Sequence, residues 1–282
     1  MPNFFEIIKT VILGIVEGIT EWLPISSTGH MILVDEFMKL KCRDDFMDIF
    51  FVVIQLGAIL AVVILFWNKL WPFNLKRAEG EKIVDTNKML LWVKILIASI
   101  PAAVIGLAFD KQIDVMLTGD KRAFVVSAAL IVYGVLFIII ENLKKKETLT
   151  DLNKMPYKTA LYIGLIQCLS LVPGTSRSGS TILGASLLGT SRTVAAEFSF
   201  FLGIPAMFGA SAIKLLKFFA DGFMFTSEEI IILLVGCAVS FVVSILAIKF
   251  LVSYIKKHDF KAFGVYRIIL GIAVIAFFAL KK

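Results

Sequence analysis

The strongest constraint on the fold is a set of six apolar runs, each close to the length of a membrane crossing. A helical crossing needs about 20 consecutive apolar residues. Hydrophobic residues make up 59% of this 282-residue chain and charged residues only 18%, a composition that excludes an ordinary soluble domain. We therefore predict an all-α polytopic membrane protein with six transmembrane helices, in which residues 1–282 form a single integral membrane domain. The predicted spans are Phe46–Trp67, Met89–Phe109, Ala123–Ile140, Ala195–Phe219, Ile230–Leu251 and Phe263–Leu280.

Charged residues in the connections predict the orientation of these spans. Lysine and arginine are concentrated in the connections 68–88, 141–158 and 254–262, whereas the connection 221–229 has only acidic residues as charged groups. Positive residues accumulate in cytoplasmic loops, so the three basic connections are predicted to be cytoplasmic and the acidic one to be outside. The net charge of +7 is explained by these loops, and we expect no nucleic acid partner.

Two further apolar segments are interrupted in the middle. The runs Pro24–His30 (PISSTGH) and Pro173–Thr181 (PGTSRSGST) combine proline, glycine and hydroxyl residues. Such a run cannot continue a helix that faces lipid, because proline removes a backbone donor and disturbs the preceding turn. Given the predicted loop orientation, each segment is expected to leave and return on one side of the membrane. This predicts two re-entrant helical hairpins that open from opposite sides.

The two interrupted segments also resemble each other. Gly14–Gly18 (GIVEG) and Pro24 can be laid over Gly164–Cys168 (GLIQC) and Pro173 with single-residue gaps. Similar segments of opposite orientation are typical of inverted-topology repeats, in which broken helices meet near the membrane midplane. We predict approximate repeat halves at 1–110 and 155–282, with the span at 123–140 and one C-terminal span left unassigned.

Two carboxylates lie on the first apolar segment. Glu17 and Glu21 are four residues apart, which places them on one face of a helix. An ionisable residue at membrane depth costs about 2.5 to 3.5 kcal/mol. The functional interpretation is a general base or a pair that binds Mg²⁺ or Ca²⁺. The structural alternative is a protonated pair, or a carboxylate capped by hydroxyls, but a structural role rarely requires two acids on an apolar helix.

The first break supplies hydroxyl groups and a histidine. Ser26, Ser27 and Thr28 follow Pro24, where a new half-helix is expected to start, and a helix N-terminus favours an anion. Serine and threonine also serve simply as helix caps. His30 is three residues after Ser27 and therefore on the same helical face, within reach as a base or nucleophile.

The second break supplies a cation and further hydroxyls. These candidate phosphate-binding residues are Ser176, Arg177, Ser178 and Thr181, together with Ser26 and Thr28 of the first break. A guanidinium inside a membrane segment needs an anion, and its planar fork suits phosphate or carboxylate. The alternative is an internal ion pair between Arg177 and Glu17 or Glu21. Both states can occur in turn, with a ligand replacing one partner.

The motifs EGITEWLPISSTGH at 17–30 and PGTSRSGST at 173–181 resemble the two signature motifs of the bacterial undecaprenyl-pyrophosphate phosphatases, the bacitracin-resistance proteins. The resemblance covers essentially the whole chain. It implies hydrolysis of a C55 isoprenoid diphosphate to the monophosphate, which recycles the lipid carrier for peptidoglycan synthesis and confers bacitracin resistance. It also implies a bacterial cytoplasmic (inner) membrane protein with its site toward the outer face. The essential residues of the family fall on Glu17, Glu21, Ser27, His30, Ser176, Arg177 and Thr181.

On this basis we expect phosphoryl transfer with Ser27 as nucleophile and His30 or a glutamate as its base. Direct attack by water activated by Glu21 or His30 is the alternative, and Mg²⁺ or Ca²⁺ on Glu17 and Glu21 is an open option. No organic cofactor is expected. Expected partners are undecaprenyl diphosphate and membrane lipids, and a homodimer is left open. The different-class alternative is an inverted-repeat transporter or flippase of a phosphorylated lipid or another anion.

Overall fold

The structure is a computed structural model that describes residues 2–73, 83–109, 112, 122–143 and 146–280. Within these ranges the regular structure is helical, apart from two isolated β-bridges. The first part of the chain contains α1 (Phe4–Thr20), α2 (Ser27–Phe37), α3 (Asp44–Leu65), α4 (Trp67–Leu70), α5 (Thr86–Ala108) and α6 (Arg122–Asn142). The second part contains α7 (Tyr157–Gln167), α8 (Arg177–Leu187), α9 (Arg192–Ala220), α10 (Ser227–Ile255) and α11 (Lys261–Leu280), with short 3-10 turns at Leu152–Lys154 and Cys168–Leu171.

Six of the described helices are long and apolar enough to cross a membrane: α3, α5, α6, α9, α10 and α11. Their outward faces carry exposed aliphatic side chains such as Leu234, Leu246 and Ile269, as a lipid-facing surface requires. The six predicted spans are thus confirmed, with ends that differ by a few residues.

The helices α1 and α2 form a hairpin. Lys9, early in α1, donates from Nζ to the carbonyl of Lys39 beyond the end of α2, at 2.7 Å. The amide of Lys41 donates to Glu6 Oε2 at 2.9 Å. The chain therefore returns after α2 to the level at which α1 began, with the Pro24 run at the tip of the hairpin.

The helices α7 and α8 form a second hairpin of the same kind. The segment before α7 meets the segment after α8, because the amide of Thr148 donates to the carbonyl of Gly189 at 2.9 Å and the amide of Ser191 donates to the carbonyl of Leu149 at 2.9 Å. The Pro173 run lies at the tip. That these hairpins re-enter a bilayer stays a prediction.

Helix pairing follows a two-fold pattern. In each half a broken hairpin is followed by three long helices, and α1 packs on α10 of the other half while α7 packs on α5. Both contacts are backbone to backbone: a Cβ on Gly14 would lie 3.0 Å from the carbonyl of Gly236, and one on Gly164 would overlap the carbonyl of Ala98. The halves 1–110 and 155–282 stay a prediction, but this order favours a first half that runs on to Asn142.

The basic connections lie at one end of the bundle. Glu141, at the end of α6, pairs with Arg192 at 2.7 Å and accepts from the amide of Phe260 at 3.0 Å. These two contacts bring together the connections that follow α6, α8 and α10. Lys69 pairs with Glu197 at 2.8 Å at the same end. Glu197 is therefore held by this ion pair. The predicted loop cations Lys76, Arg77, Lys82, Lys144 and Lys145 lie outside the described residues.

The opposite end holds the acidic connection. Arg43, before α3, pairs with Glu229 at 3.0 Å and donates to the carbonyl of Met224 at 3.0 Å. The start of α1 lies at the same end, because its residues Glu6 and Lys9 contact the segment 39–43 that leads to Arg43. The two broken tips therefore lie between the ends, where they pack against the aromatic core around Trp22 and Phe200, whose ring centroids are 5.5 Å apart.

Candidate functional site

The two breaks have the same local geometry. Ser26 and Ser176 both have positive φ, at 74° and 73°, a conformation that is uncommon and costly for a residue other than glycine. Each serine caps the half-helix that follows: Ser26 Oγ accepts from the amide of Gly29 at 3.3 Å, and Ser176 Oγ accepts from the amide of Gly179 at 3.1 Å. The first residues of α2 and α8 thereby occupy equivalent positions.

Those first residues, Ser27 and Arg177, both bind Glu21. Ser27 Oγ donates to Glu21 Oε2 at 2.8 Å, and Arg177 Nη2 donates to Glu21 Oε1 at 3.0 Å. The Glu21 side chain is 8% exposed and that of Arg177 12%. The predicted internal ion pair is therefore present, and it connects the two halves of the chain through a single carboxylate.

Three further groups lie around the Arg177 guanidinium. Its Nη1 donates to the carbonyl of Ser199 at 2.7 Å, and its guanidinium lies 5.8 Å from the centre of the Trp22 ring. A Cβ at Gly203 would lie 3.0 Å from the guanidinium, so a larger residue there would press on it. Its Nε is buried without a hydrogen-bond partner. One donor of the arginine is thus left unused beside the Glu21 contact.

Glu17 lies one turn before Glu21 and is more deeply buried, at 1% exposed. Its Oε1 has no hydrogen-bond partner. Within the described part of the chain, no group of three His, Cys, Asp or Glu side chains is close enough to hold a metal ion. Of these residue types, the described part of the site has only the carboxylate pair Glu17 and Glu21 for a cation, and Glu21 is already bound by Ser27 and Arg177.

Two of the predicted phosphate-binding hydroxyls point into the protein. Ser178 Oγ donates to the carbonyl of Glu21 at 3.0 Å, and Thr181 Oγ1 lies 2.6 Å from Ser199 Oγ. Ser178 is 1% exposed and Thr181 is fully buried. These residues tie the second break to the first and to α9, whereas Thr28 and Ser176 are half-buried on the accessible side.

His30 does not bind Ser27. Its Nδ1 donates to the carbonyl of Ser26 at 2.7 Å, and its Nε2 lies 2.7 Å from the hydroxyl of Tyr266, with the two rings stacked. Since both ring nitrogens have other partners, Glu21 is the acceptor that the structure places on the Ser27 hydroxyl. The i, i+3 spacing places His30 at the site, but its ring nitrogens bind Ser26 O and Tyr266 rather than the Ser27 hydroxyl.

The sequence analysis missed three residues at this site: Ser199, Tyr266 and Arg267. Arg267 is fully buried in α11 and contacts both breaks. A signal for it exists, because it is an arginine in the interior of an apolar span, where a charge is costly and usually functional.

The arrangement is suited to phosphoryl transfer. A hydroxyl paired with a carboxylate is an activated nucleophile, and a guanidinium beside it binds and stabilises phosphate charge. Two half-helices also begin here, and their N-termini favour an anion.

Comparison with known proteins gives the same answer over the whole chain. Residues 10–273 match the family model described as bacitracin resistance protein BacA. The chain is 58% identical to the undecaprenyl-diphosphatase of Enterococcus faecalis over 275 residues, which is 97% of each protein. It is 57% identical to undecaprenyl-diphosphatase 1 of Clostridioides difficile (strain 630) over 278 residues, which cover 99% of this chain and 98% of the relative. The chain is therefore a multi-pass membrane protein that belongs to the bacitracin resistance protein BacA family.

Proposed function

We propose that this protein hydrolyses undecaprenyl diphosphate to undecaprenyl phosphate and inorganic phosphate, and so recycles the lipid carrier for peptidoglycan synthesis and confers resistance to bacitracin. The observation that carries the proposal is the chain of contacts from Ser27 through Glu21 to Arg177, at 2.8 and 3.0 Å, across the two halves. The names of the similar proteins support the same substrate.

Substrate binding exchanges one anion for another. In the structure Arg177 binds Glu21, and an arriving diphosphate competes for the same guanidinium. Phosphate suits the planar fork of arginine, and the N-termini of α2 and α8 add their positive ends to the same point. When Arg177 moves to the phosphate, Glu21 keeps its hydrogen bond from Ser27 and becomes a stronger proton acceptor.

The reaction then proceeds in two displacements. Ser27 Oγ attacks the terminal phosphorus and its proton passes to Glu21, while the bond between that phosphorus and the bridging oxygen breaks and undecaprenyl phosphate leaves with the electron pair. Glu21 gives this proton to the departing undecaprenyl phosphate and is a carboxylate again. Water then attacks the phosphoserine and gives a proton to Glu21, the bond between phosphorus and Ser27 Oγ breaks, and Glu21 returns the proton to Ser27 Oγ as inorganic phosphate leaves. Arg177 stabilises the negative charge on the transferred phosphoryl group in both steps.

A divalent cation fits this site only together with the substrate. Glu17, whose Oε1 has no hydrogen-bond partner, and Glu21 are the residues that would hold Mg²⁺ or Ca²⁺. Such a cation would neutralise part of the diphosphate charge. Among the described residues, no third His, Cys, Asp or Glu side chain lies close enough to join these two carboxylates.

The site is proposed to open toward the outer face of the bacterial cytoplasmic membrane. The basic connections at one end of the bundle and the acidic connection at the other support a cytoplasmic basic end. The opening of the site at the outer face is what the family resemblance implies. Membrane lipids surround the protein, and a homodimer stays a prediction.

A proteoliposome experiment separates hydrolysis from transport. Purified protein is reconstituted into vesicles with undecaprenyl diphosphate, and both released phosphate and the leaflet occupied by the lipid are measured. Hydrolysis predicts phosphate release that is lost in Glu21→Gln. Movement of intact diphosphate lipid without phosphate release would instead identify a transporter.

A further inference from the structure

Arg267 is a charged group, among the described residues of the site, that the proposed chemistry does not use. It lies in α11, its side chain is fully buried, and it donates only to backbone carbonyls. Its Nη1 donates to Pro24 O at 3.1 Å, while its Nη2 donates to Gly174 O at 3.0 Å and to Thr175 O at 2.8 Å. A single guanidinium therefore connects the first break to the second.

The three carbonyls belong to residues one or two positions before the residues with positive φ. Pro24 O is two residues before Ser26, and the carbonyls of Gly174 and Thr175 immediately precede Ser176. A positive φ at a non-glycine residue costs about 1 to 3 kcal/mol and persists only where the surroundings impose it. Arg267 donates hydrogen bonds to the backbone beside both of these serines.

The hydrogen bonds from Arg267 also affect the residue that follows each of these two serines. Ser27 and Arg177 begin α2 and α8, so the direction of each depends on the turn before it. Hydrogen bonding both turns to one planar group fixes the distance between them. This matters for catalysis, because a displacement of about 1 Å can reduce a rate by about 10²-fold.

No carboxylate pairs with Arg267 among the described residues. Its other neighbour is the ring of Tyr133, whose centre lies 5.4 Å from the guanidinium carbon. A Cβ at Gly179 would lie 3.1 Å from Nη1, so the charge is located beneath the first turn of α8. An unneutralised charge at low dielectric attracts an anion over several ångströms.

The supporting helices hold Arg267 firmly. The crossing of α6 and α11 is backbone to backbone, because a Cβ at Gly134 would lie 2.7 Å from the carbonyl of Gly264 and the reverse distance is the same. Tyr133 and Arg267 lie beside this crossing. A rigid helix pair thus carries the guanidinium that both breaks share.

We propose that Arg267 is a positioning residue that locks the two breaks into one site and adds positive charge for the diphosphate. The lock aligns Ser27 with Arg177 through the carbonyls of Pro24, Gly174 and Thr175. The catalytic consequence of this inference rests on the proposed function, whereas the lock itself does not.

Two measurements test it on full-length purified protein, with Arg267→Gln, Arg267→Lys and the control Arg192→Met. The control removes another arginine that pairs with Glu141 at the basic end of the bundle. The first measurement is amide hydrogen exchange in peptides that cover 17–30 and 173–184. We expect amide exchange to become faster in both segments of Arg267→Gln and to stay at the wild-type rate in both segments of the control. If only one segment, or neither, exchanges faster, the lock is overturned whatever the activity.

The second measurement is kcat and KM for phosphate release from undecaprenyl diphosphate, per mole of folded protein. Arg267→Gln is expected to lose about 10²-fold in kcat and to show a KM raised several-fold, because both the lock and the charge are missing. Arg267→Lys keeps the charge, so its KM should stay near the wild-type value while kcat falls, since one ammonium cannot span both breaks. A folded Arg267→Gln protein with wild-type kcat would overturn the positioning role.

If the Arg267 variants do not fold, Tyr133→Leu serves as the milder test. Removal of the ring should lower kcat a few-fold and speed exchange in both segments, and unchanged values in both measurements would contradict the inference. The two proposals can also fail separately. If the wild-type protein releases no phosphate, the proposed function is refuted. If exchange is nevertheless faster in both segments of Tyr133→Leu, the lock is still supported.

Discussion

Glu21 and Arg177 bind each other at 3.0 Å although 156 residues separate them in the chain. Both side chains are largely buried, and the carboxylate also accepts from the Ser27 hydroxyl on its other oxygen. The ion pair therefore holds the site together without substrate and occupies the donor that a phosphate needs. In the mechanism that we propose, substrate binding opens this pair, and the same event frees Glu21 to act as the base.

The first prediction concerns Glu21→Gln. The variant removes the proton acceptor of Ser27 but weakens the hold on Arg177, so turnover and phosphate binding should change in opposite directions. We expect kcat to fall about 10² to 10⁴-fold, the range of a lost general base. Inhibition by inorganic phosphate should become stronger. Steady-state kinetics with added phosphate measures both, and a variant with wild-type kcat would exclude Glu21 as the base.

The second prediction concerns the covalent intermediate. If Ser27 is the nucleophile, rapid acid quench of the wild-type protein with undecaprenyl diphosphate should yield a phosphorylated peptide that contains Ser27, identified by mass spectrometry. Ser27→Ala should yield neither the phosphopeptide nor turnover. Full hydrolysis by Ser27→Ala would show that water attacks directly.

The third prediction uses two glycines of α9. A Cβ at Gly203 would lie 3.0 Å from the Arg177 guanidinium, whereas one at Gly209 would meet nothing within 4 Å. Gly203→Ala should displace the guanidinium and lower kcat by about 10² to 10³-fold, comparable to loss of one transition-state donor. Gly209→Ala is the matched control and should keep wild-type kcat. Equal rates in the two variants would contradict the placement of Arg177.

The fourth prediction concerns stability. A Cβ at Gly57 in α3 would overlap the backbone of Cys237 in α10, but one at Gly106 in α5 would make only an ordinary contact of 3.6 Å with Leu171. Gly57→Ala should destabilise the fold by about 1 to 3 kcal/mol through overpacking. Thermal unfolding in detergent should show a lower midpoint for Gly57→Ala than for Gly106→Ala. The same midpoint for both would mean that the α3–α10 crossing can relax.

The sequence predicted the architecture because its causes are local. Proline followed by hydroxyl residues at Pro24 stops a lipid-facing helix wherever it occurs, and the apolar length of a span is set by the membrane. The contact between Glu21 and Arg177 was also foreseen as an alternative, since a buried guanidinium must find an anion.

The partners of His30 and the role of Arg267 could not be predicted in the same way. The spacing from Ser27 to His30 places both residues on one helical face, but His30 Nδ1 donates to the backbone carbonyl of the capping residue Ser26 instead. Arg267 reaches the breaks from α11, and its contacts with Pro24 and Gly174 span 243 and 93 residues of sequence. Such contacts depend on how the helices cross, which periodicity does not encode.

The most direct test of the central claim is phosphate release from undecaprenyl diphosphate by purified protein, measured side by side for the wild type and Arg177→Ala. The wild type should release one inorganic phosphate for each undecaprenyl phosphate formed. Arg177→Ala should remain folded and lose at least about 10²-fold in rate, because it removes the cation that meets the transferred phosphate. No phosphate release by the wild type, or an equal rate for the two proteins, would contradict hydrolysis at the junction of the two broken helices.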